Sequence, residues 1–409
     1  MFDLKPLLAA VVLSAPSFLV FAAEPTSYSD SLSLGSVTEV VYQRLPGKLA
    51  ESKFSQLQQA NDELGNALFA EPATASLNHF NDAIGSSDGF QEWEGSLDMP
   101  LWLPGQKQAQ QVLSKKIMAQ LPAYQNQLRL QASGEVRELI WQVKLAEARL
   151  EQARQVWETA KQLQQDVESR VKAGDLAANE ALLASSNTLE AHSQMVAAES
   201  ELSQQMKTYR FITGLQSLPV QVTEDVTDSQ QVAASHPALM MQDQVIARLQ
   251  AEMGIARFEG SANPSVSLGV RRERGEGSEA FNNSLGIGFS MPLDNERYSQ
   301  LAVAEGSAAL ADAQVARMEL ERQLNKQLLA SRERLSATQQ QLDLVVKQDR
   351  TTHEYYQMQK RAFDLGEINL IDLLRSQVLA NESRSRKREL EVLIEQHKAQ
   401  LNQSLGVIL

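Results

Sequence analysis

The residues best able to do chemistry are five histidines, His79, His192, His236, His353 and His397, and they stand far apart in the chain. Metal ligation or proton relay calls for donors at short, regular spacing, and none of the five has a histidine neighbour within a helical turn. Met240-Met241 is the only methionine pair. Cysteine is absent, which removes thiolate metal sites, iron–sulfur clusters, thiol nucleophiles, disulfides and an acylated N-terminal cysteine. No spacing of Ser, His and Asp marks a nucleophilic triad, and no pair of carboxylates stands out among the 51 acidic residues. The sequence offers no catalytic site, no cofactor site and no metal site. Two charged features remain. Asp372 lies in an apolar frame of Leu370, Ile371, Leu373 and Leu374, with Arg375 one turn on. Arg271, Arg272 and Arg274 cluster near the end of an alternating segment, where they suit lipid phosphates, a pore mouth or the solubility of a loop.

What positions these residues is the larger question. The chain has 409 residues, enough for two or three compact domains, and a net charge of −13. That balance argues against nucleic acid as a partner, because phosphate binding needs a basic face. Residues Lys5 to Ala22 carry an apolar core ending in small side chains and read as a signal peptide over 1–22, cleaved after Ala22. Past Ala23 no apolar run reaches the roughly 18 residues of a spanning helix. A membrane span in the mature chain therefore has to be built from β-strands.

An internal duplication organises the rest. Met99-Pro100-Leu101 returns as Met291-Pro292-Leu293, an offset of 292 − 100 = 192, and Gly174 with Gly366, Gly214 with Gly406 and Pro72 with Pro264 share it. The expected division is repeat 1 over 23–214, a linker over 215–235 and repeat 2 over 236–409. In each repeat a short helical lead-in comes first and two alternating segments follow, about 74–102 and about 264–293. In the second, Val266, Leu268, Val270, Leu285, Ile287 and Phe289 alternate with Ser and Gly, which predicts a hairpin with one apolar face. The period then changes to seven. Val136, Val143, Leu150, Trp157 and Val171 form one series and Leu139, Ala146, Ala153, Ala160 and Val167 another, the a/d seam of a coiled coil. Leu328, Leu335, Leu342, Tyr356 and Phe363 repeat the pattern. Coiled-coil helices are expected over about 105–213 and about 298–405, the first of each pair roughly 65 residues or about 100 Å long. Gly174 and Gly366 read as the caps of helical hairpins. Pro122 predicts a kink or a join between two shorter helices.

This combination resembles the TolC family of outer-membrane efflux channels. The match rests on the two Met-Pro-Leu strand ends at Pro100 and Pro292 and on Arg170…Gly174-Asp175-Leu176. It also rests on Phe363-Asp364-Leu365-Gly366-Glu367-Ile368-Asn369-Leu370 and the closing Leu405-Gly406. The resemblance implies a mainly α fold with a small β part, in which antiparallel coiled coils form a periplasmic tunnel. It further implies a homotrimer whose twelve strands close one outer-membrane barrel. The implied partners are outer-membrane lipid, a periplasmic adaptor and an inner-membrane pump of the RND type, and the duct itself is passive rather than an enzyme. Gly174, Asp175, Leu176, Gly366, Glu367, Ile368 and Asn369 would form the adaptor-docking tip, with Leu176 and Ile368 either exposed knobs or packed turn residues. Asp372 and Arg375 would line the tunnel entrance or lock neighbouring helices together. The short chain and Pro-Leu-Trp-Leu-Pro-Gly-Gln at 100–106 are similar to the CzcC-like branch, which would make the cargo divalent heavy-metal cations. Drugs, other small molecules or proteins are the alternative cargo. A periplasmic adaptor or an envelope coiled-coil protein would leave the paired hairpins unexplained.

Overall fold

A computed structural model describes residues 26–227, 229–260, 262–293 and 296–409. The expected signal peptide lies outside the described residues. The elements run β1 (Ser27–Ser29), α1 (Leu34–Arg44), α2 (Glu51–Asn66), β2 (Thr74–Asn81), β3 (Gln91–Pro100), α3 (Gln106–Ala173) and α4 (Ala178–Thr213). They continue with β4 (Ser217–Pro219), α5 (Pro237–Ala256), β5 (Ser265–Arg274), β6 (Asn282–Ser290), α6 (Glu296–Asp364) and α7 (Leu370–Ser404). Elements separated by the 192-residue offset are of the same type, from α2 and α5 to α4 and α7.

The helices α3 and α6, of 68 and 69 residues, are each about 100 Å long. Their apolar stripes meet the returning helices as the seven-residue series requires: Val136, Val143, Ala160 and Val167 are buried on α3, and Ala184, Ala191 and Tyr209 on α4. The helices form one layer in the order α4, α3, α7, α6, with α5 between α3 and α6 and with α1 and α2 laid on α3. Pro122 does not divide α3, which runs unbroken through it. The proline lies exposed, on the solvent side, where the hydrogen bond that its missing N–H removes is most easily replaced by water.

A joint halfway along the layer holds it together. Arg137 on α3 is 3% exposed and donates through Nε and Nη2 to both oxygens of Glu224, at 2.9 and 2.6 Å. Its Nη1 donates to the Val407 carbonyl at 3.0 Å and to Gln403. Asn402 donates to Glu224 at 3.1 Å and to the Asp225 carbonyl at 2.9 Å. The segment between the repeats is thus tied to both. Beside it β4 pairs in parallel with β1, and the Tyr209 hydroxyl donates to the Ser217 carbonyl at 3.0 Å. Burial pushes that hydroxyl up to about 12, so it stays a donor at any physiological pH.

Candidate functional site

Four strands make an antiparallel sheet in the order β2-β3-β5-β6. Its register sorts the residues into rows. Leu77, Gly95, Val270 and Leu285 form one row, and Ala75, Leu97, Leu268 and Ile287 the next, followed by Met99, Val266 and Phe289. All of these share one face, because directly paired residues project to the same side. The opposite face reads Asn78, Glu94, Arg271 and Ser284, then Ser76, Ser96, Gly269 and Gly286, then Asp98, Ser267 and Gly288. The apolar face is bare: Leu285 and Ile287 are each 75% exposed. On the polar face Arg271 bridges Glu92 and Glu273, each at 2.8 Å. Strands of 8 to 10 residues match the roughly 9–11 of a tilted membrane strand. Both edges, β2 and β6, present unpaired backbone, a condition that natural sheets rarely leave unresolved.

Pro100 is the last residue of β3, while Pro292 lies two residues beyond the end of β6. Lacking an N–H, proline cannot carry a ladder further. At this end Trp102 donates from Nε1 to the Ala67 carbonyl at 3.1 Å, so its ring is fixed against the end of α2. Asn263 donates to Glu71, its neighbour by repeat, at 2.8 Å.

The opposite end of the molecule is the pair of helical turns. Gly174 at φ 84° and Gly366 at φ 77° close them with the same bonds. The Gly174 N–H reaches the Val171 carbonyl and that of Asp175 the Arg170 carbonyl, while Gly366 and Glu367 bond Phe363 and Ala362. This is a Schellman cap in both repeats. Leu176 and Ile368 each stand two residues past these glycines. Both side chains pack half-buried on a tip core of Val167, Ala184, Phe363, Leu370 and Leu373, because each turn folds its first apolar residue back under the cap. Exposed at the tip are Gly174, Asp175, Gly366, Glu367 and Asn369, together with Leu365, 76% exposed. Asn369 also caps α7, its side chain accepting from the Asp372 N–H at 2.9 Å.

Asp372 and Arg375 pair along one helix, at 3.6 Å, rather than between helices. Both face solvent, and Asp372 sits in the first turn of α7, where the helix dipole favours a carboxylate.

Two surfaces escaped the sequence reading. On α4, Leu182, Leu189 and Val196 recur at sevens on its outer side, and on α6, Ala337, Leu344, Thr351 and Met358 do the same. All seven are exposed, and α4 and α6 are the two free margins of the layer. The signal was legible as a second heptad series, masked by the inner one. Among the described residues no helix is long and apolar enough to cross a membrane, and no group of three His, Cys, Asp or Glu side chains could hold a metal ion.

No family model matches the chain, and no curated protein matches it by sequence. Solved structures do. CusC, whose crystal structures concern folding and transmembrane channel formation, superposes with a TM-score of 0.71 over 93% of each chain at 13% identity. The CmeC outer membrane channel of Campylobacter jejuni gives 0.68 over 99% of this chain and 94% of its own at 14% identity. The outer membrane protein VceC of Vibrio cholerae gives 0.70 over 91% and 96% at 11% identity. The shared feature is the fold: a long helical layer with a small sheet at one end.

Proposed function

We propose that this chain, which has the fold of the outer-membrane channel proteins, is the passive exit duct of a tripartite efflux system. The observation that carries this is the sheet, apolar and bare on one face, polar on the other and open at both edges. A membrane-inserted barrel with a watery lumen has that distribution. Four strands are too few to close, since bacterial barrels begin at about 8 strands. Three copies supply twelve and leave no edge.

The free margins of the helical layer support the same ring. Leu182 lies 182 − 174 = 8 residues past the Gly174 turn, and Met358 lies 366 − 358 = 8 residues before the Gly366 turn. Each further heptad pairs Leu189 with Thr351, Val196 with Leu344 and Ser203 with Ala337 at equal heights. α4 of one copy and α6 of the next would run antiparallel with these layers in register, a head-to-tail contact that closes into a ring. The exposed tip residues Asp175, Leu365 and Glu367 would meet the periplasmic adaptor, with an inner-membrane pump behind it. Asp372 at the narrow end would favour cations. Divalent heavy metals are the proposed cargo, on the resemblance of residues 100–106, with drugs as the alternative.

Fractionation tests the reading first. An outer-membrane species of three times the chain mass is expected, and a soluble periplasmic monomer would overturn it. Because the chain has no cysteine, Val196→Cys with Leu344→Cys should then yield covalent trimers on oxidation. Leu182→Cys with Leu344→Cys, two heptads out of register, should not. Sensitivity of a deletion strain to zinc or copper, set against its sensitivity to drugs, decides the cargo.

A further inference from the structure

The bare face of the sheet does not stay apolar to its far end. Along β5 that face reads Val266, Leu268, Val270 and then Arg272 and Arg274. Register sets His79, Trp93, Arg272 and Asn283 in one row directly beyond Leu77, Gly95, Val270 and Leu285. This is the hairpin-loop end, remote from the helices. Arg272 lies 4.4 Å and Arg274 4.9 Å from the centre of the same Phe281 ring. The His79 ring stacks on Trp93 at 4.0 Å.

The two arginines are not spent on carboxylates. Arg271, pointing to the other face, takes Glu92 and Glu273, and Glu279 accepts from the Gly275 and Glu276 amides. Neither Arg272 nor Arg274 has a carboxylate partner among the described residues, and Nε of Arg274 is buried without any hydrogen bond. Below them Gly95 leaves an open hollow of about 480 Å³ between Leu77, Val270, Leu285 and Trp93.

We propose that this row binds the phosphate of an anionic lipid of the surrounding leaflet, with an acyl chain along the hollow and the phosphate held by Arg272 and Arg274. The Cα atoms of residues two apart on one strand face stand about 7 Å apart, within the reach that lets two arginine side chains both donate to one phosphate in forked geometry. An aromatic and cationic row at the rim of an apolar band is where a headgroup sits. The inference rests on the reading of this sheet as membrane-embedded.

The probe is bisphosphorylated lipid A against the same lipid with its phosphates removed, titrated into detergent-purified protein and read by native mass spectrometry. Wild type should retain the phosphorylated form at least about tenfold better. Arg272→Gln with Arg274→Gln should abolish that preference, and Arg272→Lys with Arg274→Lys should keep part of it. Each variant is checked for trimer mass and single-channel conductance, which should not change. Equal retention of the two lipids by wild type, or an undiminished preference in the glutamine variant, overturns the proposal. Protein that fails to fractionate with the outer membrane overturns the membrane reading instead, whereas conducting trimers without lipid preference sink only the phosphate site.

Discussion

The two helical hairpins share length, turn and register, yet at one level their seams have opposite chemistry. In the first, Ala160 and Ala191 are buried between the helices and Trp157 stacks on His192 at 5.0 Å. At the same places in the second, 192 residues on, stand Thr352, Ser383, Asp349 and Arg384. The Thr352 and Ser383 hydroxyls bond at 2.6 Å. Asp349 lies 3.8 Å from Arg384 and 3.5 Å from Lys387, and Arg384 donates to His353 at 3.1 Å. One Asp349 oxygen is buried without a hydrogen bond. A dry seam has one good arrangement, whereas a charged one that is incompletely paired is cheaper to open. The anchoring differs in the same sense. Arg149 ties α3 to Glu201 on α4 and Glu389 on α7, at 2.7 and 2.9 Å, while its counterpart on α6 is Gln341. The first hairpin reads as the fixed wall and the second as the movable one.

The comparison breaks most visibly at the central joint. Arg137→Ala would leave Glu224, 9% exposed, buried without its cation, and should cost about 3–5 kcal/mol. Leu329 holds the equivalent place on α6 and is 61% exposed, so Leu329→Ala should stay within about 0.5 kcal/mol for folding of the chain. Denaturant melts of both variants decide it, and comparable losses would mean that the two long helices are equally anchored.

The next contrast lies where each repeat ends. A Cβ on Gly406 would come within 2.5 Å of the His236 ring and 2.9 Å of Pro237, whereas one on Gly214 would meet the flexible end of Arg44 at 2.6 Å. Both glycines have positive φ, so either alanine costs about 1–2 kcal/mol of backbone strain. Gly406→Ala should add about 1–3 kcal/mol of overpacking. Equal melting temperatures for the two variants would remove the distinction.

Arg44 and His236 are themselves counterparts. Arg44 donates to the Ile212 carbonyl at 3.1 Å. His236, 3% exposed, accepts from the Ala238 N–H and leaves Nε2 unpartnered. Burial lowers its pKa from 6.5, and burial with the nearby Arg334 lowers that of His397. Below the unfolded value the unfolded chain binds protons that the folded chain excludes, so repeat 2 loses stability as pH falls through about 6.5 and beyond. Hydrogen exchange at about pH 7.5 and 5.5 should show α5 and the end of α7 loosening before α1 and the end of α4. His236→Asn keeps a capping side chain and should flatten the response. Uniform loosening of both repeats would refute it.

Much of this was legible in the sequence. The constant offset, the alternating segments and the seven-residue seams locate the strands and long helices, since each is a local pattern. Which long helix is central was not legible, because α3 and α6 carry the same seam. The choice is made by Arg137 and Arg149, whose partners stand 87 to 270 residues away and 52 to 240 residues away. Leu176 and Ile368 look exposed on a turn until the cap geometry folds them inward. The outer heptads are present in the sequence but masked, since the inner seam already satisfies the same seven-residue period.

Asp349→Leu sharpens the contrast between the seams by giving the second hairpin an apolar layer. Replacing a poorly satisfied buried charge in this way is neutral or stabilising, by up to about 1–4 kcal/mol. Melting temperature should hold or rise, while the open-state conductance of a movable wall should fall. Trp157→Ala, the matching change in the fixed wall, should lower the melting temperature without altering conductance. The reverse pattern would reassign the moving hairpin.

The smallest effect belongs to Asp372 and Arg375. An exposed pair one turn apart on a helix contributes under about 0.5 kcal/mol, so Asp372→Ala with Arg375→Ala should leave the melt almost unchanged. The capping bond from the Asp372 N–H to Asn369 belongs to the backbone and survives the substitution. Only the loss of a carboxylate from the first turn of α7, at the mouth of the proposed tunnel, remains to be felt. It should appear as weaker cation preference and a changed single-channel conductance. If both stay at wild-type values while the trimer is intact, the charged mouth is a solvated helix face, and any gating by the second hairpin must come from the Asp349 layer above it.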